Sequence, residues 1–373
     1  MNYDPNPRIG RQLAGQMFGK LHAALRKVYK DDGRWECWSE TRGLDGDRPD
    51  DQFTARNALG YAQVGIRLER KYYLMIAGKA LDRLVDTQTD VGRWIRPEGA
   101  DQPVLNECFP TADAVGALAF GYLHHDDPTA SPYFSRYREY REAAIKGATW
   151  LIRGPVRDYD HPLEGAMSYG IYNYVGSIIY ALGNTCGLID PASEPDQTRI
   201  RARVGMEKGV VEGARFLCRH MRFEDNADAG TWIWWPGKPI SKMSYHELCI
   251  RGLCSALPYV SGELSAQISG RLRSATEYMV LRQDKSGSMI HEEGNAYVGV
   301  AGLMGLSMIY KAAKDIGSLP DTSRPAPLPD PDRVASLLFS LLYGISARAN
   351  FRNLWDRTQV MRGLGWYMWG LDE

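Results

Sequence analysis

A Gly-x-Trp tripeptide recurs along the chain as Gly33-Arg34-Trp35, Gly92-Arg93-Trp94 and Gly230-Thr231-Trp232, with weaker copies at Gly165-Ala166-Met167 and Gly287-Ser288-Met289. The copies lie 57 to 73 residues apart, the span of one helical hairpin with its loops, so a repeat architecture is expected. Before each copy runs an amphipathic stretch with apolar residues at helical spacing. After each comes a loop and then a stretch rich in Gly, Ala and Leu: residues 52–62, 110–120, 172–182, 244–254 and 295–306, with a sixth at 358–369. Glycine lowers helix propensity by about 1 kcal/mol per site, so these second helices need a packing reason for their glycines. Close backbone approach within an inner ring supplies it. Outer helices are expected at 11–30, 69–87, 136–153, 203–221, 264–282 and 331–348. The expected fold is therefore all-α, a single (α/α)6 toroid over residues 1–373.

The Pro-rich stretch 318–332 cannot be helical throughout and reads as the loop before the last hairpin. A domain boundary there is disfavoured, because about 40 further residues rarely build a core of their own.

Gln88-Thr-Asp-Val-Gly92-Arg-Trp94, closing the helical run from Gly78, resembles the QW repeat of squalene and terpenoid cyclases and their protein-prenyltransferase relatives. Gln283-Asp-Lys-Ser-Gly287-Ser-Met289 is similar, with Met in the Trp place. The resemblance implies a toroid whose Gln caps a helix end and stacks on the Trp, tying successive hairpins together. The architecture is also that of the six-hairpin glycosidases. The Asp-x-Asp-Asp acid motif of class II cyclases has no counterpart at Asp47-Arg-Pro-Asp50-Asp51 or at Asp158-Tyr-Asp160-His161, and no Asp-x-Cys of a prenyltransferase zinc set occurs.

Charge bears on function next. The 45 Lys and Arg balance 45 Asp and Glu, and there is no basic block, so no nucleic-acid partner is expected. Six Cys without a CxxC motif read as reduced, buried small hydrophobes, Cys249 and Cys254 among them. No secretory leader and no apolar run of about 18 residues is seen, which gives a cytoplasmic expectation with no transmembrane segment. No His pair has zinc-site spacing; neither a metal nor another cofactor is expected. The oligomeric state is not read from the sequence.

In such a toroid the cavity lies over the N-termini of the inner helices, so their first turns are the place to seek a site. Those turns carry Asp51, Arg56, Asp113, Tyr172, Asn173, Tyr245, His246, Glu247, Glu293, Asn295 and Arg362. Caps and dipole partners also favour Asp and Glu at helix starts. Arginines there oppose the dipole, however, and Tyr245-His246-Glu247 is denser than one cap requires. A carbocation cyclase wants an apolar cavity, whereas sugars want hydrogen-bond pairs and aromatic faces. An oligosaccharide or small-molecule substrate is expected.

Two mechanisms suit this rim. Hydrolysis of a glycosidic bond needs one protonated carboxyl and one carboxylate, the candidates being Asp113, Glu247, Glu293 and Asp51. Elimination from a uronate needs His246 or Tyr245 as base, and Arg362 and Asn173 to neutralise the sugar carboxylate. Trp38, Trp234 and Trp235 have no place in the repeat and are candidate stacking platforms, with Arg56, Tyr172, Asn173, Asn295 and Arg362 as further substrate contacts. A terpenoid cyclase or prenyl-binding toroid is the alternative from a different class, and a non-catalytic binding toroid another.

Overall fold

The structure, a computed structural model, describes residues 7–35, 51–95, 107–154, 159–222, 229–233, 243–283, 302–317, 328–347 and 354–370. Among the described residues every named element is a helix, apart from an isolated bridge between Tyr29 and Trp35. In chain order the α-helices are α1 (Pro7–Leu25), α2 (Asp51–Arg67), α3 (Lys71–Thr87), α4 (Cys108–Leu123), α5 (Tyr137–Arg153), α6 (Pro162–Ser168) and α7 (Tyr172–Cys186). They continue with α8 (Gln197–His220), α9 (Met243–Ala256), α10 (Gly262–Leu281), α11 (Leu303–Gly317), α12 (Pro331–Ala347) and α13 (Leu354–Gly370).

Two kinds of helix alternate, and their burial tells them apart. In α3 the buried set includes Leu74, Ala77, Leu81 and Leu84, one stripe at helical spacing. By contrast α2 is buried without a break from Gln52 to Ile66, and α4 from Cys108 to Gly121. A helix buried all round must be surrounded by others. Accordingly α2 packs on α4, α4 on α7, α7 on α9, α9 on α11, α11 on α13, and α13 back on α2. The stripe-buried helices lie against these: α3 on α2 and α4, α5 on α4 and α7, α8 on α7 and α9, α12 on α11, and α1 on α12 and α13.

Small residues permit the closest of these contacts. A Cβ on Gly176 of α7 would stand 2.3 Å from the Leu248 carbonyl oxygen of α9, and one on Gly252 would stand 2.7 Å from the Gly176 Cα. Neither position has room for a side chain.

The Gly-x-Trp loops repeat in three dimensions as well. Gly33, Gly92 and Gly230 have φ of +89°, +98° and +86°, the left-handed region that disfavours other residues. Each is pressed onto an outer helix, where an added Cβ would meet the carbonyl oxygen of Lys79 at 2.3 Å, Lys146 at 2.7 Å or Ser274 at 2.3 Å. The following Trp35, Trp94 and Trp232 are buried. The Trp94 indole donates to the Leu84 carbonyl at 2.8 Å, and the Trp232 indole to that of Leu217 at 2.9 Å. The Trp94 and Trp35 backbone N–H groups donate to Thr111 Oγ1 (3.1 Å) and Thr54 Oγ1 (3.3 Å), equivalent threonines at the starts of α4 and α2.

Gln88 Nε2 donates to the Gly92 and Ala143 carbonyls, both at 2.9 Å, fastening the end of α3 to α5. Gln283 Nε2 reaches the Leu337 carbonyl of α12 at 3.4 Å in the same way.

The third hairpin departs from the expected pattern. Gly165-Ala166-Met167 is not a turn but the middle of α6, whose first turn is capped by His161 accepting from the Glu164 N–H at 3.1 Å. Pro162 in that first turn is pre-set for a helix, and the left-handed glycine falls later, at Gly170 (φ +64°). Residues 287–289 and 295–301 lie outside the described residues, and the fifth inner helix is described from Leu303. Cys108, Cys186, Cys218, Cys249 and Cys254 are free and buried. Among the described residues no helix is long and apolar enough to cross a membrane.

Candidate functional site

Side chains from the second and third turns of four helices converge on one carboxylate. Asp113, in the second turn of α4, is 4% exposed, and it is there because α4 is buried all round. Arg56 of α2 donates from Nε to Asp113 Oδ2 at 2.7 Å, and Gln52 Nε2 reaches the same oxygen at 3.2 Å. From the opposite side of the ring, Arg251 of α9 donates from Nη1 to Asp113 Oδ1 at 3.0 Å. Arg362 of α13 brings Nη1 to 3.8 Å from Oδ1. Four ring helices thus contribute to one ion cluster.

Arg251 is further fixed by α7. Its Nη2 donates to Ser177 Oγ at 3.1 Å, and its guanidinium carbon lies 4.2 Å from the centre of the Tyr180 ring. The face of an aromatic ring attracts a cation, more strongly when water is excluded. Arg251, Arg362 and Ser177 are all buried.

Electrostatics divide the two carboxyl groups of the cluster. Burial alone would raise the Asp113 carboxyl, but Arg56, Arg251 and Arg362 outweigh it and hold that carboxyl well below the usual range. Glu247 of α9 is equally buried and lacks such close pairing. Burial pushes it up to about 8, against the pull of Arg362 and Arg251. Its Oε1 has no hydrogen-bond partner among the described residues. Burial lowers Arg362 to about 9, helped by the like charges of Arg56 and Arg251 and opposed by Asp113 and Glu247.

Of the residues singled out from sequence, Asp113, Arg56 and Arg362 therefore meet, and Glu247 lies within the field of Arg362. His246 does not join them. One residue along α9 is about 100° around the helix, and His246 packs instead between Trp232 (ring centres 5.3 Å) and Tyr278 of α10 (5.2 Å). Burial pulls its imidazole down to about 3, against the Ala275 backbone that favours the charged form. Tyr245 packs half-buried against the core. Tyr172 stacks on Phe216 of α8 at 5.6 Å and lies 5.7 Å from His220. Asn173 is buried, and its Oδ1 has no hydrogen-bond partner among the described residues. Asp51 is half-buried in the first turn of α2. Glu293, Asn295, Trp38, Trp234 and Trp235 lie outside the described residues.

Arg251, Ser177 and Tyr180 were not expected in the site. The available signal was a charged pair at i, i+4, Glu247 and Arg251, inside the otherwise apolar run of α9. No family model matches the chain, and neither does any curated protein.

Proposed function

We propose that the chain is an (α/α)6 toroid and a carbohydrate-active enzyme that cleaves glycosidic bonds, with Glu247 as the proton donor. The closed order of ring contacts from α2 to α13 supports the toroid. The observation that carries the catalytic reading is Glu247 itself. A glycosidase acid must hold its proton near neutral pH, and this carboxyl is desolvated and raised to about 8 within the field of Arg362 and Arg251, which also act on an ionised Asp113. Two carboxyl groups with opposed protonation states in one cluster are the pattern that acid and base work requires.

The roles divide accordingly. Asp113 has both oxygens engaged by Arg56, Gln52 and Arg251, so it is the anchor of the arginines and not the acid. Glu247 delivers its proton to the leaving oxygen. The second carboxylate is Asp51, at the start of α2, or Glu293. A centre filled with charged groups is a poor container for a hydrocarbon cation, which weighs against the terpenoid reading. His246, wedged between Trp232 and Tyr278, is badly placed as the base of an elimination.

Incubation with a panel of neutral and acidic oligosaccharides tests the proposal. New reducing ends that vanish in Glu247→Gln are expected. Enone absorbance accompanying cleavage would move the chain to the lyases, and no cleavage of any glycan would remove the reading.

A further inference from the structure

A second cluster of side chains lies where α1 and the first Gly-x-Trp loop meet α2 and α3, and the catalytic reading makes no use of it. Tyr61 of α2 stands at its centre, 1% exposed. Its ring stacks on Trp35 at 5.5 Å, and Trp35 in turn lies 4.8 Å from Tyr29. Tyr61 also meets His22 of α1 and Tyr73 of α3, both at 5.7 Å, and Tyr73 lies 6.4 Å from Tyr72. Tyr72 is 43% exposed, so neighbouring rings lead from the buried indole to the surface.

The fate of a proton separates these rings. A phenol or indole that has lost one electron is a strong acid, and the loss is easy only where a base within hydrogen-bond reach takes the proton. Tyr29 Oη and Trp35 Nε1 are buried and have no hydrogen-bond partner among the described residues. Tyr61 Oη lies 2.8 Å from His22 Nδ1. A phenol buried so deeply needs an acceptor for its proton, and this imidazole nitrogen is within reach, so the O–H donates and His22 carries its own proton on Nε2. Burial and the charge of Arg26 lower the His22 imidazole, which keeps it neutral and able to accept. Burial raises the Tyr61 phenol, which keeps it protonated until it is oxidised.

We propose that Tyr61 and His22 form a proton-coupled redox pair, through which the chain gives one electron to a radical oxidant and shelters the phenoxyl radical that results. The oxidant is a one-electron acceptor of the peroxyl class that meets the exposed edge of Tyr72. An electron leaves Tyr61 by way of Tyr73 and Tyr72, the phenolic proton passes to His22 Nδ1, and the reduced peroxide takes its proton from water. A neutral phenoxyl then stands beside an imidazolium. Ascorbate or a thiol returns the electron through the same rings and His22 returns the proton, so no bond of the protein is lastingly altered. Burial keeps the radical from coupling with a second one.

The test uses the full chain and flash-generated tris(bipyridine)ruthenium(III) as oxidant, with the radical followed by its optical band and by electron paramagnetic resonance. A tyrosine radical that outlives free tyrosyl in the same buffer is expected. In protein carrying isotopically labelled histidine, that radical should show coupling to a histidine nitrogen, a measurement that needs no variant. Tyr61→Phe should abolish the long-lived signal. His22→Phe should slow radical formation at least about tenfold and remove its solvent deuterium effect. A radical resident on tryptophan, a tyrosyl radical without histidine coupling, or a long-lived signal that persists in a folded Tyr61→Phe overturns the proposal. Where a variant does not fold, the labelled wild type decides. Neither residue belongs to the ion cluster, so the presence or absence of glycan cleavage leaves these outcomes untouched.

Discussion

Arg251 Nη1 lies 3.0 Å from Asp113 Oδ1, a charge-assisted bond between side chains 138 positions apart that joins α9 to α4. Because both partners are buried, removing Asp113 leaves Arg251 without its carboxylate, whereas removing Arg251 leaves Asp113 still bound by Arg56 and Gln52. Asp113→Ala should cost about 3–5 kcal/mol, and Arg251→Met less. In a double-mutant cycle by urea denaturation the two effects should fall short of additivity by more than about 1 kcal/mol. Strict additivity would mean that the contact does not hold the ring together.

Glycine positions should respond oppositely according to their surroundings. Gly92→Ala forces a left-handed alanine against the Lys146 carbonyl and should lower stability by about 1–3 kcal/mol. Gly270, inside α10 with nothing near its missing Cβ, should gain about 0.5–1 kcal/mol on conversion to Ala. Chemical denaturation midpoints of the two variants should move in opposite directions, and equal shifts would contradict the turn geometry.

His246 predicts acid sensitivity. Its folded value is depressed to about 3 from an ordinary 6.5, so its contribution to stability is complete above pH 6.5 and is lost as pH falls toward 3. His246→Leu should flatten that part of the stability curve. A variant that loses stability between pH 6.5 and 4 as steeply as the wild type would show that another group governs it.

Glu247 works in the other direction. Its folded value is raised from 4.5 to about 8, so its contribution is intact below pH 4.5 and is lost as pH rises toward 8. Glu247→Gln should be less sensitive than wild type to alkali across that window, in melting temperatures taken at successive pH values. The same substitution should lower kcat by about 100-fold or more if Glu247 is the acid. Unaltered turnover would assign the proton to a different group.

Much of the all-helical pattern was legible because its signals are local. Gly33, Gly92 and Gly230 advertise left-handed turns, and the Gly- and Ala-rich runs advertise helices that are buried all round. Arg56, Asp113 and Arg362 were visible as polar residues near inner-helix starts. Arg251 escaped attention because it stands mid-helix among Leu248, Cys249, Ile250 and Leu253, where composition suggests only core. What places it is a carboxylate on another helix, and no local pattern encodes that. His246 illustrates the converse: adjacency to Glu247 in sequence implied a shared role, yet rotation along α9 turns it toward Trp232 and Tyr278. Gly165 misled for a related reason, since Pro162 and the His161 cap turn an apparent loop motif into α6.

The contact of α13 with α2 has a kinetic consequence. Arg67 donates to the Trp369 carbonyl at 3.2 Å and its guanidinium lies 4.2 Å from that indole's centre, across 302 positions of chain. Hairpin contacts between neighbouring helices form early because their loops are short, whereas so distant a pairing must wait for everything between to be in place. Arg362 rides on the helix that makes this final join. The ion cluster should thus form late in refolding, and recovery of its buried contacts would time the joining of α13 to α2 rather than the growth of helix.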